Sequence, residues 1–125
     1  MESMLHHVSL PVRNLDASKA LYDAAMEAIG YRCVVRVPNA VGYGIADGED
    51  KLLLTLNPRT SAASEGFHLA FAAPSQEAVD NFHRAALGHG ARDNGKPGLR
   101  SDYGPGYYAA FVIDIDGHRL EAVHK

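Results

Sequence analysis

Polar and apolar residues alternate through "HHVSLPV" near the start of the chain, the period of a strand with one buried face. Val8, Leu10 and Val12 fall on one side, and His7, Ser9 and Pro11 on the other. The period then lengthens. Leu21, Tyr22, Ala25, Met26 and Ile29 recur at helical spacing. Asn14 or Asp16 can cap this helix at its start, and Gly30 can stop it after about Ile29. "YRCVVRV", "GYGIA" and "KLLLTL" read as three shorter strands.

The second half opens in the same way. "HLAFAAPSQEAVDNFHRAALGHGAR", from His68, follows "HVSLPVRNLDASKALYDAAMEAIGYR", from His7, at a shift of 61 residues. Ala17 then lies over Ala78, Leu21 over Phe82 and Ala25 over Ala86. Ser75 opens the second helix after Pro74. Val79, Phe82, Ala86 and Leu87 give its stripe, and Gly88 and Gly90 close it. A weak strand is expected near residue 92, followed by "GYYAAFVID" and "HRLEAV". The glycine- and proline-rich "NGKPGLRSDYGPG" reads as a loop or mobile flap. An internal repeat of this kind decides the architecture. The expectation is a single α+β domain over 1–125, built from two βαβββ repeats at about 4–57 and 66–124 with a linker at 58–65.

Composition narrows the setting. The 125 residues are 46% hydrophobic and 22% charged, ordinary for a soluble domain. A net charge of -3 leaves no basic footprint for nucleic acid. No apolar run has membrane-spanning length, and "MESMLHHVSL" has no signal-peptide pattern. The lone Cys33 is expected to be a reduced thiol in a cytoplasmic protein. Seven histidines are a mild enrichment, and they are scattered.

Candidate chemistry comes from the alternation. In "FHLAFA", His68 lies opposite Phe67, Leu69 and Phe71; in "HRLEAV", Glu121 lies opposite Leu120 and Ala122. His7, His68 and Glu121 therefore all sit opposite the faces that pack on helices. Two imidazoles and a carboxylate on the concave side of a sheet can hold a metal and leave positions open for substrate. Each residue alone could simply face water, but His7 and His68 occupy the same place in both repeats. Leu53 falls where the first repeat would need a carboxylate matching Glu121.

At "HVSLPV", "FHLAFAAPS" and "AFVIDIDGHRLEAV" the chain resembles the vicinal oxygen chelate superfamily, which includes glyoxalase I, extradiol dioxygenases, fosfomycin-resistance thiol transferases and bleomycin-binding proteins. The resemblance runs from His7 to Val123. Ile115 replaces the proline of the family's usual Asp-Pro-Asp-Gly turn. The resemblance implies paired βαβββ modules around one divalent metal ion held by His7, His68 and Glu121, with Fe, Mn, Zn and Ni not distinguished. It also implies a homodimer, with His7 coming from one module and His68 and Glu121 from the other, in one chain or two. Leu53 argues against glyoxalase I chemistry, since that enzyme uses a second glutamate in the first module. The ending at Lys125 omits the basic residues of the fosfomycin transferases, and extradiol dioxygenases are usually twice as long.

The expected function is that of a metal-dependent lyase, isomerase or dioxygenase acting on a small oxygenated substrate chelated through vicinal oxygens. Glu121 is the candidate catalytic residue. Ser9, Arg100, Tyr103 and Tyr107 are candidates for contact with an anionic or aromatic substrate, although the tyrosines could equally pack the flap. Arg119, Lys19, Asp23, Glu27 and His83 read as solvated surface, and His118 as part of a turn. The alternative is a metal-free module that sequesters a small molecule in the same cleft, as bleomycin-binding relatives do.

Overall fold

The computed structural model describes residues 4–61 and 65–125. The first repeat contains β1 (Val8–Val12), α1 (Leu15–Ala28), β2 (Arg32–Val37), β3 (Ala40–Gly44) and β4 (Asp50–Leu56). The second contains β5 (Leu69–Ala72), α2 (Gln76–Gly88), β6 (Arg92–Leu99), a single 3-10 turn at Ser101–Tyr103, β7 (Tyr108–Ile113) and β8 (Arg119–His124). Each repeat is thus a βαβββ unit.

The helix boundaries follow from local chemistry. The Asn14 side chain accepts from the Ala17 amide at 3.0 Å, and the Ser75 hydroxyl accepts from the Ala78 amide at 3.0 Å. Both supply an acceptor to amides that have no partner within the helix. Both helices end alike. Gly30 and Gly90 adopt φ of +98° and +106°. The amides of Tyr31 and Ala91 then turn back to the carbonyls of Met26 and Ala86 at 2.9 and 3.0 Å. This Schellman closure favours glycine because a Cβ is strained at positive φ.

Each repeat forms its own four-stranded sheet, in the orders β1-β4-β3-β2 and β5-β8-β7-β6. The outer pairs β1/β4 and β5/β8 are parallel, and the remaining pairs are antiparallel. The helices pack on each other, and each also covers its own sheet. Leu10, Val12, Leu52 and Leu54 of the first sheet and Val112, Leu120 and Ala122 of the second join Leu21, Met26, Val79 and Phe82 in one core. The opposite face of each sheet is left uncovered by the helices. Ser9, Ala70 and Ala72 are exposed there.

A polar hub joins the repeats at the β7–β8 turn. The Arg13 amide and Nε both donate to Asp116 Oδ1 at 3.0 Å, and Ser18 Oγ donates to Asp116 Oδ2 at 3.3 Å. Tyr22 donates to Asp114 Oδ2 at 2.5 Å, while Asp114 Oδ1 takes the amides of Asp116 and His118. His118 Nε2 donates to the Pro11 carbonyl at 2.7 Å. Burial holds the Asp114 carboxyl above its ordinary range, in spite of the donors around it. His118, expected only to form a turn, therefore pins β1 of the first repeat to the second.

Two expectations need correction. "NGKPGL" is not a flap: it belongs to β6, an eight-residue strand paired with β7. Only residues 100–107 form a connecting segment. The strand survives its glycines and proline because it is an edge strand and skips register between Asp93 and Gly95 and again between Gly95 and Gly98. His83 is not solvated surface. It is buried between α2 and β6, with Nε2 2.9 Å from Asp93 Oδ1. Asp23 is also engaged, accepting from Tyr43 at 2.8 Å and from Lys19 at 2.7 Å.

Candidate metal and substrate site

β5 and β8 lie side by side, with Ala70 opposite Glu121. On the other flank of β8, Phe111 of β7 pairs with Glu121. This register brings the residue preceding β5 to the carboxylate: His68 Nε2 lies 3.0 Å from Glu121 Oε1. Tyr107, just before β7, donates to Glu121 Oε2 at 2.5 Å. Glu121 is 1% exposed, whereas the His68 side chain is 52% exposed. The carboxylate is therefore sunk in the sheet, with the imidazole at its mouth. Burial first, and then the bond to Glu121, pushes the Tyr107 hydroxyl up to about 12.

Around this pair opens a cleft of about 640 Å³ that includes Arg100, Tyr103, Tyr107, Phe111 and Arg119. Tyr103 meets Tyr107 edge-on, with ring centroids 5.3 Å apart. The Arg100 guanidinium lies 5.4 Å from the centre of the Phe111 ring. Arg119, read from sequence as surface, borders the cleft 3.9 Å from Glu65. Phe111 joins the site as well: strand parity with Tyr107 and Ala109 puts it on the same face.

His7 is elsewhere. It is exposed at the start of β1, with Nδ1 2.9 Å from His6 Nδ1, and borders a separate, largely apolar groove of about 480 Å³. That groove lies between the two repeats and includes Leu5, Val8, Ile45, Leu69 and Phe71. Ser9 is exposed on the outer face of β1 and lines neither cavity. Among the described residues, no three His, Cys, Asp or Glu side chains come together as a metal cage. One chain gathers an imidazole and a carboxylate but not the second imidazole. The chemistry of the two suits a divalent cation.

The register also places Leu53. It pairs with Ser9 and Gly42 in the first sheet, as Glu121 pairs with Ala70 and Phe111 in the second. The position equivalent to Glu121 thus carries no ligand.

A family model for the glyoxalase/bleomycin resistance protein/dioxygenase superfamily matches residues 4–122. The chain belongs to that superfamily. A solved glyoxalase/bleomycin resistance protein from Albidiferax ferrireducens T118 is 30% identical and superposes with a TM-score of 0.87, covering 98% of this chain and 100% of its own. A glyoxalase/bleomycin resistance protein/dioxygenase family enzyme from Burkholderia phytofirmans PsJN shares the fold at 20% identity and a TM-score of 0.72, covering 98% of each chain. A glyoxalase I variant from Zea mays shares it at 21% identity and a TM-score of 0.72; the match covers 94% of this chain but 45% of that one. No curated protein sequence matches the chain. Within the superfamily, the His68–Glu121 pair and its cleft are the features from which an activity can be argued.

Proposed function

We propose that this superfamily member is a divalent-metal-dependent enzyme of the lyase, isomerase or dioxygenase type, acting on a small substrate that chelates through vicinal oxygens. The observation that carries the reading is the 3.0 Å approach of His68 Nε2 to a carboxylate that is 1% exposed. A buried carboxylate is costly unless donors or a cation satisfy it, and this one opens only toward the cleft.

His68 and Glu121 would hold the metal together with His7 of a second copy. His7 holds the position in the first repeat that His68 holds in the second, and it is exposed on a sheet face no helix covers. When bound, the metal supplies Lewis acidity to the substrate's oxygens. The chain's own groups do the rest. Tyr107 donates to Glu121 Oε2 and orients the carboxylate. Tyr103 and Phe111 line the cleft with aromatic surface.

One feature favours a second reading, a metal-free binding protein. His68 and Tyr107 already supply Glu121 with partners, and the groove between the repeats is apolar. A mixing experiment separates the two. Metal content would be measured by plasma mass spectrometry on His7→Ala, on Glu121→Ala and on the two refolded together. For a site shared between copies, each variant alone is empty and the mixture regains metal, because one site of each mixed dimer is intact. Wild type without metal, before and after reconstitution, sinks the enzyme reading.

A further inference from the structure

We infer that Arg100 is the receptor for a carboxylate on the substrate, so that the cleft takes small monoanionic acids; the inference deepens the reading of the His68–Glu121 site and rests on it. Arg100 follows β6 and faces the same cleft as His68 and Glu121. Its position is built by the backbone. The Arg100 amide donates to the Tyr107 carbonyl at 2.7 Å, closing the 100–107 segment at its base. Its Nη2 donates to the Lys96 carbonyl at 2.6 Å, and its guanidinium stacks over Phe111. The side chain lies over two glycines. A Cβ at Gly98 would stand 3.2 Å from Nη1, and one at Gly95 would stand 3.3 Å from Nη2 and 2.9 Å from the Phe111 ring. The two glycines thus let the guanidinium lie close against the β6 backbone, and a side chain at 95 would also press on the Phe111 ring.

A guanidinium held this firmly would ordinarily answer a carboxylate. Among the described residues, no carboxylate lies within ion-pairing reach of Arg100. The cleft's two acids are otherwise engaged: Glu121 with His68 and Tyr107, and Glu65 loosely with Arg119. Arg100 is therefore the cleft arginine with no acidic partner, and its single guanidinium can answer one carboxylate. The planar fork of arginine suits the two oxygens of a carboxylate. Tyr103 and Phe111 add flat apolar surface beside it.

The test uses benzoate, a carboxylate with no second oxygen group to chelate a metal, against neutral benzamide and inorganic phosphate. Binding to the full-length protein would be followed by calorimetry and amide NMR, before and after metal removal. Wild type should bind benzoate saturably with or without metal and leave benzamide and phosphate weaker. Arg100→Gln should weaken benzoate by at least ~10-fold, the scale of one lost charge-assisted pair, and Arg100→Lys should fall between. Manganese uptake, measured in parallel, should be unchanged in both variants. No benzoate binding by wild type overturns the inference. So does equal binding by folded Arg100→Gln, equal affinity for benzamide, or a preference for phosphate. Failure of manganese uptake by wild type would instead remove the metal reading and leave the benzoate result standing.

Discussion

Leu53 and Glu121 hold the same register position in the two sheets, one opposite Ser9 and Gly42, the other opposite Ala70 and Phe111. Leu53 is half-buried on the face turned away from α1. A carboxylate there has room to reach the outer face without opening the core. Leu53→Glu should cost less than ~1 kcal/mol of stability. In the shared site it should add a fourth protein ligand and tighten manganese binding, as read by equilibrium dialysis. Unchanged affinity would mean that the first repeat's outer face does not contribute to the site.

Tyr107 tests how far Glu121 depends on its neighbour. Tyr107→Phe removes one of the two donors to a buried carboxylate and should destabilise the metal-free protein by about 1–3 kcal/mol. Loss of an outer partner of a ligand should also weaken metal binding by about 10-fold. Urea unfolding and metal dialysis of the same variant read the two effects separately. A variant with wild-type metal affinity would show that Tyr107 packs the cleft without orienting the carboxylate.

Asp114 should reveal the cost of the polar hub. Burial raises its carboxyl above the ordinary value, so the folded state binds its proton more tightly than the unfolded chain does. The associated stability is fully present below the unfolded pKa and is lost as pH rises through the folded one. Asp114→Asn keeps an acceptor for the two amides and removes the charge. It should be better tolerated than Asp114→Ala, which strands three donors and should cost about 2–4 kcal/mol. Denaturation at pH 4.5 and 7.5 should show a flatter pH dependence for the asparagine variant. Parallel curves for wild type and variant would contradict this.

Asp93 should act with the opposite sign. The Gly95 amide, and then His83, hold its carboxyl below the ordinary 3.8. Its contribution is present above that unfolded value and is lost as pH falls through the folded one. Asp93→Asn should therefore be less stable than wild type at pH 7, and the gap should narrow toward pH 3. A gap independent of pH would trace to packing instead.

Much of this architecture was legible because it rests on local rules repeated twice. Asn14 and Ser75 announce helices, Gly30 and Gly90 end them, and strand parity puts His68 and Glu121 on one face. Only the start of β6, near Arg92, was legible, since Gly95, Pro97 and Gly98 argue against continuing a strand unless it is known to lie at an edge. His83 read as exposed because helical periodicity does not reveal that a bulged strand covers that flank. The separation of His7 from His68 was beyond the pattern as well. Alternation fixes the face on which a residue lies, but the pairing of β5 with β8 and the packing of α1 on α2 fix what that face meets.

The proline of β6 has a consequence beyond the site. Among the described residues both sheets end in strands with no neighbour on their outer side, and each edge is interrupted: Pro11 in β1, Arg32 and Arg36 in β2, only four residues in β5, and Pro97 in β6. Proline, charge and shortness each deny a neighbouring chain a continuous row of donors and acceptors. The folded molecule thus offers little template for fibre growth, and contacts between copies are steered toward side chains rather than extended backbone.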